Sequence, residues 1–264
     1  MASPKPILGG LLFLGGLGLL FGAGEPELDA PVSVVTVDSV GGASIYFSSG
    51  PDVPLSGFGA GPEPKAFIVH VDPRSDTLTA AARDSMAAVL AVDGWEVEIR
   101  SLYDDEFDPV AAAEEVSFQR PAGGEVDPLV AEYQDLVDRC DALILVYPLW
   151  WKQPPAMLKG WLDRVFTYGF AYEFVDHAPD SVVSLLPGKK VLIVNVVASS
   201  RDTYEDMGYL RYLDMADRSL YGTSGMELVE RHIIYSATAM NTPEKAACLE
   251  ELSELLPLIE PAYR

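Results

Sequence analysis

Three short segments carry side chains suited to gripping a flat, charged molecule. VDPRSDTLT, residues 71–79, ends an apolar run and opens a helical one. Thr77 and Thr79 offer hydroxyls there, and the first N–H groups of a helix form an anion site with Leu78 between them. Asp72 and Asp76 put negative charge beside that site, and ordinary N-capping is the competing reading. In YPLWWKQPP, residues 147–155, Trp150 and Trp151 are adjacent, so both cannot enter the same core. One of them, next to Pro148 and Leu149, is expected to line a cleft and offer a face for stacking. VVASSRDTY, residues 196–204, brings the backbone N–H groups of Val196, Val197, Ala198 and Ser199 to the same edge. A ring with carbonyl and imide groups needs such partners. Tyr204 can donate a proton or hydrogen bond to an electron-rich ring, and Arg201 can offset negative charge on it. Taken alone, loop tyrosines and arginines are commonly surface residues.

Other chemistries are disfavoured. The chain of 264 residues holds 18 Lys+Arg against 40 Asp+Glu, a formal charge of -22. A field of that sign repels nucleic-acid backbones and anionic lipid, so any phosphate must be held by local N–H groups and hydroxyls. His70, His177 and His232 are far apart, with no HxxxH or HExxH, so no metal site is expected. Cys140 and Cys248 form no CxxC and read as buried free thiols. No GxGxxG or P-loop pattern is present.

The elements that must position these segments alternate. Strand-like runs KAFIVHV, WEVEIRSL, DALILVYP, KKVLIVNVV and RHIIYSAT are separated or followed by helical runs, the last of them closing the chain at PEKAACLEELSELLPLI. DALILVYP and KKVLIVNVV are continuously apolar, as central strands are; WEVEIRSL is polar enough for an edge. Five βα repeats predict one doubly wound α/β domain with a parallel sheet in the flavodoxin-like order 2-1-3-4-5. Ligands bind such sheets beyond the strand carboxyl ends where the chain direction switches, which is where the three segments fall. Gly160 lies inside the helix PPAMLKGWLDRVF at a cost of about 1 kcal/mol against alanine, which points to something packed closely there, such as a partner subunit.

This domain is assigned to residues 65–264, and residues 25–64 read as a linker rich in Gly, Pro and Ser. Residues 1–24 contain an uncharged run, 7–24, that fits a secretory signal, a membrane anchor or an extension unrelated to the fold. Any membrane contact is expected only through that run.

The run PLWWKQPPAMLKGWLDRVFTYGFAY resembles the flavodoxin-like NAD(P)H:quinone oxidoreductases, a family that includes the DT-diaphorase type, modulators of drug activity and potassium-efflux ancillary proteins. SLYDDEFDP and GKKVLIV are similar to further stretches of it. The resemblance implies a flavin, FAD or FMN, with NAD(P)H as electron donor and a quinone-like acceptor. It places Pro148, Leu149, Trp150 and Trp151 against the isoalloxazine ring, Thr77, Leu78 and Thr79 at the phosphate and ribityl chain, and Val196 to Ser199 beside the ring. It gives Tyr204 a role in hydride transfer and makes Tyr172 and Phe174 a cover for the neighbouring subunit's substrate site in a homodimer. Three departures stand out: Asp72 replaces a family histidine, VVAS replaces T-T-G-G, and Leu210 stands where a catalytic histidine is usual. Lys152 and Gln153 replace an aromatic and a small residue. The implied activity is flavin-dependent two-electron reduction of quinones; a flavin-binding regulatory partner with little turnover is the alternative. Dependence on NAD(P)H implies a cytoplasmic location.

Overall fold

The computed structural model describes residues 63–113, 115, 126–175 and 181–263. The readings of residues 1–24 and of 25–62 lie outside the described residues, as does His177.

Five parallel strands form the sheet: β1 (Lys65–His70), β2 (Glu96–Ser101), β3 (Ala142–Pro148), β6 (Lys190–Val196) and β7 (Glu227–Ile234). Their order is β2-β1-β3-β6-β7, which is the expected flavodoxin-like order. β3 is buried at every position, whereas β2 leaves Glu96, Glu98 and Ile99 exposed at the sheet edge. Successive side chains point to opposite faces. Phe67, Val69, Leu143, Leu145 and Ile193 therefore face α2 (Pro128–Arg139), α3 (Ala156–Val165) and α5 (Tyr209–Ser224). Ile68, Ile144, Leu192 and Val194 face α1 (Leu78–Val92) and α6 (Thr242–Glu250). On the first face Trp161 is fully buried, edge-on to Tyr133 and Phe166 at 5.7 Å each. Truncating such a side chain costs about 3–5 kcal/mol.

Several boundaries differ from the sequence reading, each for a local reason. The fifth strand starts at Glu227 and ends at Ile234, where a run over 231–238 was expected. Its first half carries outward glutamates that an edge strand tolerates, and Ser236 at φ 56° turns the chain away. The helical run between the fourth and fifth strands is two helices, α4 (Arg201–Asp206) and α5, parted by Gly208 at φ 71°. The closing helix is broken into α6, a 3-10 turn over Glu251–Leu255, and α7 (Leu256–Ile259), which holds Pro257 in its first turn. A two-stranded antiparallel ribbon, β4 (Tyr172–Phe174) with β5 (Val182–Ser184), was not anticipated.

Gly160 has an explanation within the chain. A Cβ at that position would come within 2.1 Å of the Pro109 carbonyl oxygen, so the loop after β2 requires the glycine. The same loop is tied to α3 by Arg164, whose side chain is 7% exposed and pairs with Glu115 at 2.8 Å while donating to the Asp108 carbonyl at 2.7 Å.

Among the described residues no helix is long and apolar enough to cross a membrane.

Candidate functional site

β1 leads to β2 on one side and is flanked by β3 on the other, so the loops after β1 and β3 diverge. A cleft of about 440 Å³ opens at that divergence.

One wall begins with α1. Thr77 is its N-cap, in extended backbone, with Oγ1 accepting from the Ala80 N–H at 3.2 Å. Thr77, Leu78 and Thr79 all line the cleft, so the helix starts there and its positive pole faces it. Asp72 does not line it: the residue is buried, and its Oδ1 accepts from the Arg74 N–H at 3.1 Å and from Arg74 Nε at 3.4 Å. Asp76 does line it.

The second wall is the β3–α3 loop. Pro148, Leu149 and Trp150 line the cleft, and Trp150 is 40% exposed. Trp151 is 97% exposed and lies outside the lining. Trp150 and Gln153 exchange backbone hydrogen bonds of 3.0 and 2.9 Å, closing a tight turn with Trp151 (φ 53°) and Lys152 (φ 63°) at its tip.

The third wall follows β6. Val196, Val197 and Ala198 line the cleft. The expectation that all their amides serve a ligand needs narrowing. The Val197 N–H donates to the Ile234 carbonyl at 2.9 Å, and its own carbonyl accepts from the Ala237 N–H at 2.9 Å. Val197 is thus committed to the sheet extension, and its contribution to the cleft is apolar. Ser199 lies beyond the lining and accepts a 2.8 Å hydrogen bond from Lys152 Nζ.

Tyr204 sits behind this wall rather than in it. Its ring is buried, edge-on to Tyr209 at 5.9 Å and Tyr235 at 5.7 Å, and Lys152 Nζ lies 4.6 Å from its centroid. Burial, then the neighbouring phenols of Tyr235 and Tyr209, push its hydroxyl up to about 12. It therefore stays protonated at neutral pH. Arg201 is exposed, 3.6 Å from Glu205, with its guanidinium 4.9 Å from the Tyr235 ring centroid. Leu210 packs against the core. Tyr172 and Phe174 lie on β4, clustered with Tyr168, and do not line the cleft.

Arg74, Ala237, Thr238 and Lys245 complete the lining and were missed in the sequence. Thr238 follows β7, whose carboxyl end obeys the same rule that pointed to the other loops. Lys245 reaches the cleft from α6, a position that no spacing near the cleft encodes. With Arg74 it supplies local cations, so an anion here need not rely on amides and hydroxyls alone.

This arrangement can hold a planar group against Trp150 with an anionic tail toward α1, Arg74 and Lys245. A family model described as flavodoxin-like fold matches residues 64–256. An uncharacterized NAD(P)H oxidoreductase of Haemophilus influenzae is 31% identical over 159 residues, covering 60% of this chain and 76% of that protein. NAD(P)H dehydrogenase [quinone] 1 of Cavia porcellus is 32% identical over 125 residues, 42% of this chain and 46% of that protein, so the match spans about half its length. Among solved structures, an NAD(P)H:quinone oxidoreductase from Methanothermobacter marburgensis aligns with a TM-score of 0.65 at 24% identity, covering 73% of this chain and 97% of that one. At that identity the likeness is one of fold.

Proposed function

The chain belongs to this flavodoxin-like family, and from that premise we propose that it is an oxidoreductase that binds a flavin in the cleft and reduces quinone-like acceptors with NAD(P)H. The observation that carries the reading is the cleft itself, bounded by Trp150 on one side and by the start of α1 with Thr77 and Thr79 on the other. A planar ring with a phosphate-bearing tail fits that pairing of an aromatic face with a helix N-terminus. When bound, the flavin supplies the two-electron chemistry.

The chain's own residues have separable tasks. Trp150 orients the ring by stacking. Thr77, Thr79, Arg74 and Lys245 hold the phosphate. Leu149, Val196 and Val197 keep water from one side. Tyr204, protonated at neutral pH, backs the third wall and carries the Lys152 ammonium over its ring. In a homodimer, Tyr172 and Phe174 on the β4–β5 ribbon of a second copy cover the acceptor site, near the exposed indole of Trp151. Support for that part is the aromatic and apolar face of the ribbon, where Val182 pairs with Phe174 and is 40% exposed.

The decisive experiment is a visible spectrum of the purified protein, followed by titration with FMN and FAD and by assay of NADH and NADPH oxidation with menadione. Flavin bands with rapid, acceptor-dependent oxidation are expected. Tight binding without turnover would replace the enzyme with a regulatory flavin-binding partner, and a protein that takes up neither flavin would overturn the reading.

A further inference from the structure

Lys152 occupies a position that neither local propensity nor the acidic character of the chain explains. It and Trp151 are adjacent non-glycine residues with positive φ, 63° and 53°. Left-handed backbone costs such residues roughly 1–2 kcal/mol each, so surrounding contacts must fix the turn. Side chains supply those contacts. Lys152 Nζ donates to Ser199 Oγ at 2.8 Å and lies 4.6 Å from the Tyr204 ring centroid and 5.8 Å from that of Tyr209. Next to it, Gln153 Oε1 accepts from Tyr212 Oη at 3.1 Å. A short turn after β3 is thereby stapled to α4 and α5.

The charge is as telling as the geometry. The chain has 40 carboxylate side chains, yet Lys152 forms no ion pair with any described residue. Its ammonium rests on phenol faces and one hydroxyl, partners that hold a cation without neutralising it. Two residues before it, Trp150 lines the cleft; the residue before its hydrogen-bond acceptor Ser199 is Ala198, which lines the cleft too. The ammonium is therefore fixed between two cleft-forming loops, on the side of Tyr204.

We propose that Lys152 is a positioning residue that holds an uncompensated positive charge at the cleft's Tyr204 side and so favours the more negative, reduced form of the bound ring. The inference rests on the flavin reading above. The reduced ring carries one more negative charge than the oxidised ring, so a nearby fixed cation stabilises the two unequally.

The test compares Lys152→Met, which keeps length and loses charge, with Lys152→Arg, measuring the affinity for oxidised FMN and the midpoint potential of the bound flavin at pH 7. In Lys152→Met the oxidised affinity should change by no more than about threefold. The preference for reduced over oxidised flavin should fall about tenfold, a midpoint about 30 mV more negative. Lys152→Arg should restore most of it. A purely structural staple would weaken both oxidation states alike and leave the midpoint in place, which overturns the proposal while leaving the flavin reading intact. An unaltered chain that binds no flavin overturns both.

Discussion

Pro109 lies directly over Gly160: a methyl group on that glycine would sit 2.1 Å from the Pro109 carbonyl oxygen and 2.4 Å from its Cβ. The loop after β2 thereby reaches α3 and brings Glu115 to Arg164. Gly160→Ala should destabilise the fold. Better helix propensity contributes about 1 kcal/mol in its favour, but a backbone atom cannot yield as a flexible side chain can, and overpacking costs about 1–3 kcal/mol or more. A net loss of about 1–2 kcal/mol is expected in urea unfolding. Stability equal to or above that of the unaltered chain would show that the loop moves aside freely.

Burial sets the pH response of the fold. His70 is 2% exposed, and neither ring nitrogen has a hydrogen-bond partner among the described residues. Burial first, then the Arg83 charge, lower its pKa below 6.5, against the raising effects of Asp72, Asp104 and Asp84. The unfolded chain therefore takes up this proton before the folded one. The stability involved is complete above about pH 6.5 and declines as pH falls toward the folded value, at no more than about 1.4 kcal/mol per pH unit for one group. His232 is lowered in the same direction, chiefly by burial. Urea midpoints between pH 8 and 5 should thus fall on the acid side, and His70→Leu should reduce that fall. An unchanged slope in the variant would assign it to other groups.

Much of this was legible because periodicity records burial. The uninterrupted apolar runs at β3 and β6 belong to strands covered on both faces, and their order follows from the βα alternation. Thr77 at a strand-to-helix junction reads as a cap because the cap is local chemistry. What stayed hidden depends on distant partners. Arg164 looks like a solvent-facing helix residue until Glu115 and Asp127 arrive from other segments. Val197 looks like a ligand-facing amide until β7 is placed beside it. Lys152 looks like a loop charge until α4 and α5 bring their tyrosines to it.

The two adjacent tryptophans should separate in their effects. Trp150 faces the cleft, while Trp151 at the turn tip is 97% exposed. Trp150→Ala removes an aromatic face worth about 0.5–1.5 kcal/mol in stacking plus the area it buries, so FMN affinity should drop about tenfold or more. Trp151→Ala should leave FMN affinity within about twofold and alter the response to the acceptor instead. Fluorescence titration with FMN checks both; equal losses would mean that the ring is held by the tip of the turn rather than by its base.

The charges around the cleft should show which part of the ligand they meet. Arg74 and Lys245 line it together with Asp76, in a molecule whose overall field opposes anions. If the phosphate lies among them, Lys245→Gln should weaken FMN about three- to tenfold and leave riboflavin, which lacks the phosphate, unchanged. Asp76→Asn should act in the opposite direction, tightening FMN alone. Added salt should weaken FMN less in Lys245→Gln than in the unaltered chain, because one screened attraction is gone. Calorimetric titration with FMN and riboflavin at two salt concentrations reads all three effects. Should Lys245→Gln weaken the two ligands equally, the lysine would be supporting the wall of the cleft, and the phosphate would have to lie nearer to Thr77 and Arg74.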